Sequence, residues 1–111
     1  MANPQIPLST LINAQSADET VGQVDCMGAV VNLRFDVIGT GTTSSGVIHL
    51  ECAPTMGYTG TWSPITTVNA SDVTGGAVKS VFATGCFNAV RARISTVIGG
   101  GGTVTVMVAA N

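Results

Sequence analysis

Apolar and polar residues alternate at every second position through much of this chain. The clearest example is the segment AVVNLRFDVIG, in which one face carries Ala29, Val31, Leu33, Phe35 and Val37. The residues between them include Asn32, Arg34 and Asp36. Because side chains in a strand point alternately to opposite faces, this pattern predicts a strand with one face in the core and the other in solvent.

Other segments alternate in the same way and predict further strands. They are VIHLEC, VKSVFATG, CFNAVRARIST and TVTVMVAA, and TVGQVDC predicts a strand before AVVNLRFDVIG. Residues that favour turns separate these segments, and none has the period of an amphipathic helix. The sequence therefore predicts an all-β protein, an antiparallel β-sandwich of roughly seven or eight short strands with jelly-roll or Greek-key connections.

The N-terminal part of the chain differs from the rest. The length of 111 residues is that of one domain, and we expect an extended arm over residues 1–19 followed by a single β-sandwich domain over residues 20–111. Pro4 and Pro7 disfavour regular strand pairing in the arm. Its apolar residues are predicted to dock on a partner, and they are Ile6, Leu8, Leu11 and Ile12. Such an arm can become ordered when it binds.

Four consecutive glycines, at positions 99–102, separate the last two predicted strands. A phosphate-binding loop needs a helix after it and a Lys-Ser/Thr pair, but here an alternating segment follows and no lysine precedes Thr103. Glycine adopts the positive φ angles that tight turns require. The run is therefore predicted to be the tip of a hairpin.

Charged residues make up only 9% of the sequence, against about 25% in typical soluble domains. A free monomer usually depends on a charged surface for solubility. The deficit therefore predicts that assembly covers much of the surface, and it favours a homo-oligomer over the alternative of a polar, uncharged monomer.

Charge and hydropathy also exclude some partners. Four basic residues and a net charge of −2 are too few for a nucleic-acid binder. No apolar stretch approaches the roughly 20 residues of a membrane span, and MANPQIPLST lacks the features of a signal peptide. We therefore expect a chain made in the cytoplasm, with neither nucleic acid nor membrane as a partner.

The residues that could carry chemistry form no recognised motif. Three cysteines without a C-x-x-C pair, and His49 as the only histidine, do not fit a zinc site, so the thiols are predicted to be buried and free. His49 and Glu51 point the same way from one strand, but no nucleophile lies beside them in the sequence. We therefore predict no catalytic residues, no metal and no cofactor, and a protein that is not an enzyme.

Two arginines and one tryptophan have predicted structural roles. Arg91 and Arg93 share a strand face and are expected to pair with Asp36 and Glu51 on neighbouring strands, or to form ion pairs at a subunit interface. Trp62 ends a loop and is predicted to plug the core. An alternative is that Tyr58 and Trp62 form a platform on which a sugar stacks.

Three segments, GVIHLECAPTMGYTGTWSPI, GCFNAVRARIST and GGGGTVTVMVAA, together resemble small β-sandwich structural proteins of tailed bacteriophages. The resemblance covers roughly residues 46–110. The positions that carry it are Glu51, Trp62, Gly85, Phe87, Val90, Arg91, Arg93 and the glycines at 99–102. The pattern is loose and is shared by head decoration (cement) proteins, fibre modules and other virion parts.

Among those roles, the resemblance most implies a head decoration protein. Such proteins are often trimeric and clamp neighbouring subunits of the major capsid protein from the outer surface, so the resemblance implies a homotrimer here. It is made in the host cytoplasm and becomes part of the virion. The alternatives are a tail or fibre-associated adaptor protein and, from another class, a carbohydrate-binding β-sandwich module.

Overall fold

Strands form most of the chain in the computed structural model, which describes residues 6–55 and 57–111, with the side chains of residues 7–24, 30–55 and 57–111. The strands are β1 (Ile6–Gln15), β2 (Val21–Thr40), β3 (Ser45–Ala53), β4 (Ser63–Asn69), β5 (Val78–Gly99) and β6 (Thr103–Ala110). One short 3₁₀ segment, Ala70–Gly76, connects β4 to β5. Within the described part of the chain, no helix is long and apolar enough to span a membrane.

The six strands form one antiparallel sheet in the order β1-β6-β2-β5-β3-β4. Strands β2 and β5 have 20 and 22 residues, and the two halves of each strand have different sets of pairing partners. Residues 21–25 of β2 pair with residues 89–93 of β5, which also pair with β3. Residues 32–38 of β2 pair with residues 78–84 of β5 and with β6. Two pairs of predicted strands are continuous, in β2 and in β5, whereas β1 and β4 were not among the predicted strands, so the described residues form six strands.

Side chains from both halves of this sheet meet in a single core. The largest fully buried side chains come from all six strands and the 3₁₀ segment, and they include Phe35, Ile12, Ile48, Leu50, Ile94, Val68, Val73 and Val106. One sheet whose two halves share a core is compatible with a β-sandwich. The predicted all-β, antiparallel fold class is confirmed.

A bulge in β2 changes which residues of the predicted strand face the core. The register with β5 shifts between Asp25 and Val30 and again before Asn32. As a result Val30 is buried, whereas Val31, which the alternation placed inward, is half exposed. A bulge inserts an unpaired residue and reverses the phase of the side chains on one side of it.

The glycine run is not a hairpin tip, and that prediction is wrong. Strand β6 pairs with β1 and β2, whereas the end of β5 pairs with β3, so the run crosses between the two halves of the sheet. Gly100 and Gly101 have φ angles of 99° and 89°, which favour glycine. A Cβ on Gly102 would lie 2.5 Å from the carbonyl oxygens of Thr40 and Thr42, so two backbones meet here too closely for a side chain.

The extended arm predicted over residues 1–19 is not confirmed. Residues 1–5, with Pro4, lie outside the described residues, but Ile6–Gln15 form β1 and pair with β6. Pro7 is accommodated because β1 lies at the edge of the sheet and its register shifts after Ile6. Ile12 is 2% exposed in the core, so it cannot be a free docking anchor.

The other predicted anchors differ among themselves. Leu8 is 53% exposed on β1, and Leu11 is partly buried against the core. The side chain of Ile6 lies outside the described residues. Of the three anchors whose side chains are described, Leu8 is the one left available to a partner.

Two substitutions in β1 test whether this segment belongs to the fold. Ile12→Ala is expected to lower the free energy of unfolding by about 2–5 kcal/mol, because it opens a cavity in the core. Leu8→Ala, on the same strand, is expected to change it by about 0.5 kcal/mol or less. Denaturant unfolding measures both values. Equal, small effects of the two substitutions would mean that β1 is an arm after all.

Candidate functional site

The predicted ionic residues meet on the outward face of the half of the sheet that contains β3. Ile48 and Leu50 of β3 point into the core, so the residues between and after them point outward. In the register with β5, Glu51 lies opposite Arg91 and His49 lies opposite Arg93. Strand pairing therefore brings one carboxylate and two guanidinium groups together from positions 40 or more apart in the sequence.

Glu51 lies at the centre of this cluster. Its Oε1 accepts hydrogen bonds from Arg91 Nε at 2.7 Å and from Arg93 Nε at 3.3 Å, and its Oε2 accepts one from Arg93 Nη2 at 3.3 Å. The side chain of Glu51 is only 7% exposed, and those of the arginines are 20% and 23% exposed. Charge-assisted hydrogen bonds of this kind are stronger than neutral ones, and partial burial reduces their screening by salt.

Trp62 covers one end of the cluster. Its side chain is 4% exposed and packs with Ala53 and Ala89, a cross-strand pair on the same outward face. The guanidinium carbon of Arg91 lies 4.6 Å from the centroid of the indole ring, within range of a cation–π interaction. Trp62 is therefore buried as expected of a plug, but it covers the ion cluster rather than the main core.

Burial and charge act in opposite directions on Glu51. Burial by itself raises the pKa of Glu51, but hydrogen bonds from Arg93 and Arg91, with the positive charges of both, hold that pKa below its usual value. The hydrogen bond to Glu51 in turn raises the pKa of Arg93. The cluster is therefore charged throughout the neutral pH range, with one negative and two positive groups.

This arrangement stabilises the fold and is poorly suited to general base catalysis. A carboxylate whose pKa is lowered and whose two oxygens already accept hydrogen bonds is a weak base. His49 is half exposed beside the cluster, opposite Thr67 on β4. Among the described residues, no group of three or more His, Cys, Asp or Glu side chains could hold a metal ion.

Asp36 does not belong to the cluster, so its predicted pairing with Arg91 or Arg93 is wrong. Its carboxylate lies 3.1 Å from Arg34 Nε and accepts a hydrogen bond of 2.6 Å from Ser80 Oγ. Asp36 lies in the second half of β2, which pairs with the beginning of β5, whereas the arginines lie near its end. The sequence could not show this separation because β2 and β5 had each been predicted as two strands.

The described cysteine side chains are less buried than the sequence predicts. Cys52 is half-buried beside the main core, and burial raises the pKa of its thiol. Cys86 is exposed and free, so its predicted burial is wrong. It follows Gly85 in the irregular part of β5, where the register with β2 shifts. The side chain of Cys26 lies outside the described residues.

A second surface lies on the other half of the sheet, and the sequence analysis missed it. Phe82 is 75% exposed, the largest exposure among the large apolar side chains described, and Val78 on the same strand is 57% exposed. Phe82 and Arg34 line an open cleft of about 240 Å³, together with Asn32 and the residues 109–111. In VKSVFATG, Phe82 falls in phase with Ser80 and Thr84, and this phase was the available signal that Phe82 faces outward.

The pH dependence of stability tests the charge of Glu51. Because the folded state lowers its pKa, Glu51 stabilises the fold above its unfolded pKa of about 4.3, and this stabilisation is lost as pH falls through the folded pKa. Glu51→Gln is expected to cost about 3 kcal/mol at pH 7, because it leaves two arginines without their counter-charge. Urea unfolding from pH 7 to pH 2 is the measurement.

The loss of stability between pH 4 and pH 2 should be smaller in Glu51→Gln than in the unsubstituted protein. Asp72→Asn is the control, since Asp72 forms an exposed ion pair of 3.6 Å with Lys79. It is expected to cost less than about 1 kcal/mol. If Glu51→Gln and the unsubstituted protein lost the same free energy of unfolding between pH 4 and pH 2, the role of Glu51 would be contradicted.

A double-mutant cycle tests whether Trp62 shields the ion cluster. Trp62→Ala is expected to lower the free energy of unfolding by about 3–5 kcal/mol. In that background Glu51→Gln should cost about 1 kcal/mol less than it does alone, because water reaches the ion pairs. Additive costs would mean that Trp62 contributes packing only.

Comparison with known proteins assigns no family to this geometry. No protein-family model matches the chain, and no curated protein sequence matches it. The role of the protein is therefore argued from its surface, its ion pairs and the resemblance described above.

Proposed function

We propose that this protein is a non-enzymatic structural protein of a bacteriophage virion. In this proposal it is a homo-oligomer that decorates the outer surface of the capsid and stabilises the particle by clamping neighbouring subunits of the major capsid protein. It is made in the host cytoplasm and then joins the virion. The resemblance over residues 46–110 provides the class, and the surface of the molecule supports a role in binding other proteins.

The observation that carries the proposal is that all four basic side chains of the sequence are paired within the chain. Arg34 pairs with Asp36, Lys79 with Asp72, and both remaining arginines with Glu51. A surface whose few positive charges are already neutralised has no patch for a polyanion such as nucleic acid. It instead presents hydroxyl groups and apolar side chains, which suit contact with another protein surface.

The exposed apolar side chains support the same proposal. Leu8, Val78 and Phe82 are each more than half exposed. Scattered single residues of this kind are ordinary on a monomer. In a chain with so little charge, however, they are the available anchors for hydrophobic contacts, and aromatic anchors such as Phe82 often dominate the binding energy of an interface.

The carbohydrate-binding alternative is less well supported than it was by the sequence. A sugar-stacking platform needs an aromatic ring whose face is open to solvent. Trp62 is 4% exposed and has Arg91 over its ring. Tyr58 packs partly against it. The geometry favours a covered, structural pair over a platform.

The test uses capsids of the phage that encodes this chain, prepared without the protein. Purified chain added to them should bind saturably and raise the temperature at which the particles release their DNA. Because the proposed contacts are mainly apolar, binding should persist in about 1 M NaCl, where the screening length is about 3 Å. Cryo-electron microscopy of the particles should show added density on the outer surface.

A tail preparation and a capsid of an unrelated phage are the matched controls. Binding to the tail and not to the capsid would contradict decoration and indicate an adaptor. Binding to a glycan array without binding to either particle would contradict a virion role. Loss of capsid binding at high salt would contradict the apolar character of the contact.

A further inference from the structure

One edge of the sheet is open along the first part of β5. Residues 78–84 pair with residues 32–38 of β2 on one side. On the other side the described residues place no strand, because β3 pairs only with residues 89–99 of β5. Phe82 and the hydroxyl-bearing Ser80 and Thr84 are exposed there, while Val81 and Ala83 are partly buried against the core. At every second residue of this segment, both the backbone N–H and the C=O group therefore point away from β2.

Residues 80–84 of this edge carry none of the charges and prolines that normally prevent strands from pairing with other chains. Exposed edges are commonly protected by charges, prolines or inward-pointing polar residues. Residues 80–88 contain neither a charged residue nor a proline. Lys79, at the start of the segment, forms an ion pair with Asp72 of its own chain. An unprotected edge with an exposed phenylalanine is a surface to which another strand can add.

The sequence of the edge is complementary to itself. A two-fold axis perpendicular to a sheet keeps each side chain on its own face, so the axis must pass through a residue and not between two residues. With the axis at Phe82, Ser80 lies opposite Thr84 and Val81 lies opposite Ala83. Between Thr84 and Phe87 the register of β5 with β2 shifts by one residue, so the matched pairs end there.

This register joins residues of the same kind. Hydroxyl groups face each other across the strands, apolar residues face each other on the core side, and two Phe82 rings meet at the axis. With the axis at Val81, Ser80 would face Phe82. With the axis at Ala83, Phe82 would face Thr84. The register centred on Phe82 is therefore the best matched of the three.

We propose that two copies of this chain associate through residues 80–84 of β5, which pair antiparallel about a two-fold axis at Phe82 and extend the sheet across both molecules. The inference rests on the homo-oligomer of the proposed function and not on its virion role. It replaces the expected trimer by an assembly that contains dimers. The paired segment is short, and because small interfaces bind weakly we expect association in the micromolar range.

A charge-swap experiment at position 82 tests both the surface and the register. Only the residue on the axis faces its own copy, so Phe82→Lys and Phe82→Glu should each weaken self-association about tenfold or more by placing like charges together. An equimolar mixture of the two variants should associate again. Sedimentation velocity from about 5 to 500 µM measures all three samples and the unsubstituted chain. Val97→Lys is the control, since Val97 is 55% exposed outside the segment.

Recovery of the dimer in the mixture, with Val97→Lys unaffected, supports the proposal. It is overturned if the unsubstituted chain stays monomeric at 500 µM, forms a trimer, or dimerises while the mixture stays monomeric. Amide hydrogen exchange of the unsubstituted chain tests the same point without a substitution. Alternate amides within residues 80–84 should exchange more slowly as concentration rises, and unchanged exchange in a dimer would overturn the strand pairing. Capsid decoration is measured separately, so a trimer that binds capsids would refute this inference alone.

Discussion

The continuous ladder between β2 and β5 is the contact on which the rest of this structure depends. Each strand is long enough to pair in one half of the sheet and then in the other. The remaining four strands join one half or the other, β1 and β6 on one side and β3 and β4 on the other. Because the same two backbones run through both halves, packing in the shared core fixes the halves relative to each other.

The ladder also explains why the ion pairs form within each half of the sheet and not between the halves. The bulge before Val30 divides β2, so Asp36 and Arg34 lie on one half while Arg91 and Arg93 lie on the other. Each half therefore neutralises its own basic side chains, the first with Asp36 and the second with Glu51. Trp62 then covers the Arg91 side of the second group. All four basic side chains are thus paired within the chain, and the exposed residues include hydroxyl groups and apolar side chains.

The sequence predicted the class of fold, most strands and the meeting of Glu51 with both arginines, because these depend on alternation within one strand and on the pairing of neighbours. It did not predict that two strands continue through a bulge, since alternation breaks there as it does at a turn. It also misplaced the connection at residues 99–102. Glycine indicates a backbone conformation, but it does not determine whether the two strands that flank it pair with each other. Pro7 is expected to disfavour strand pairing, but it does not exclude a strand here because β1 is an edge strand.

The open edge at Phe82 and the closed cluster at Glu51 are two consequences of the same strand. In its second half β5 has partners on both sides, β2 and β3, and its outward side chains are held by ion pairs and covered by Trp62. In its first half it has a partner on one side, and its outward side chains include an exposed phenylalanine. An unpaired edge retains backbone groups that water must satisfy and that another strand can satisfy instead. The part of β5 that lacks a second neighbour is therefore the part from which association with another molecule can proceed without disturbing the core.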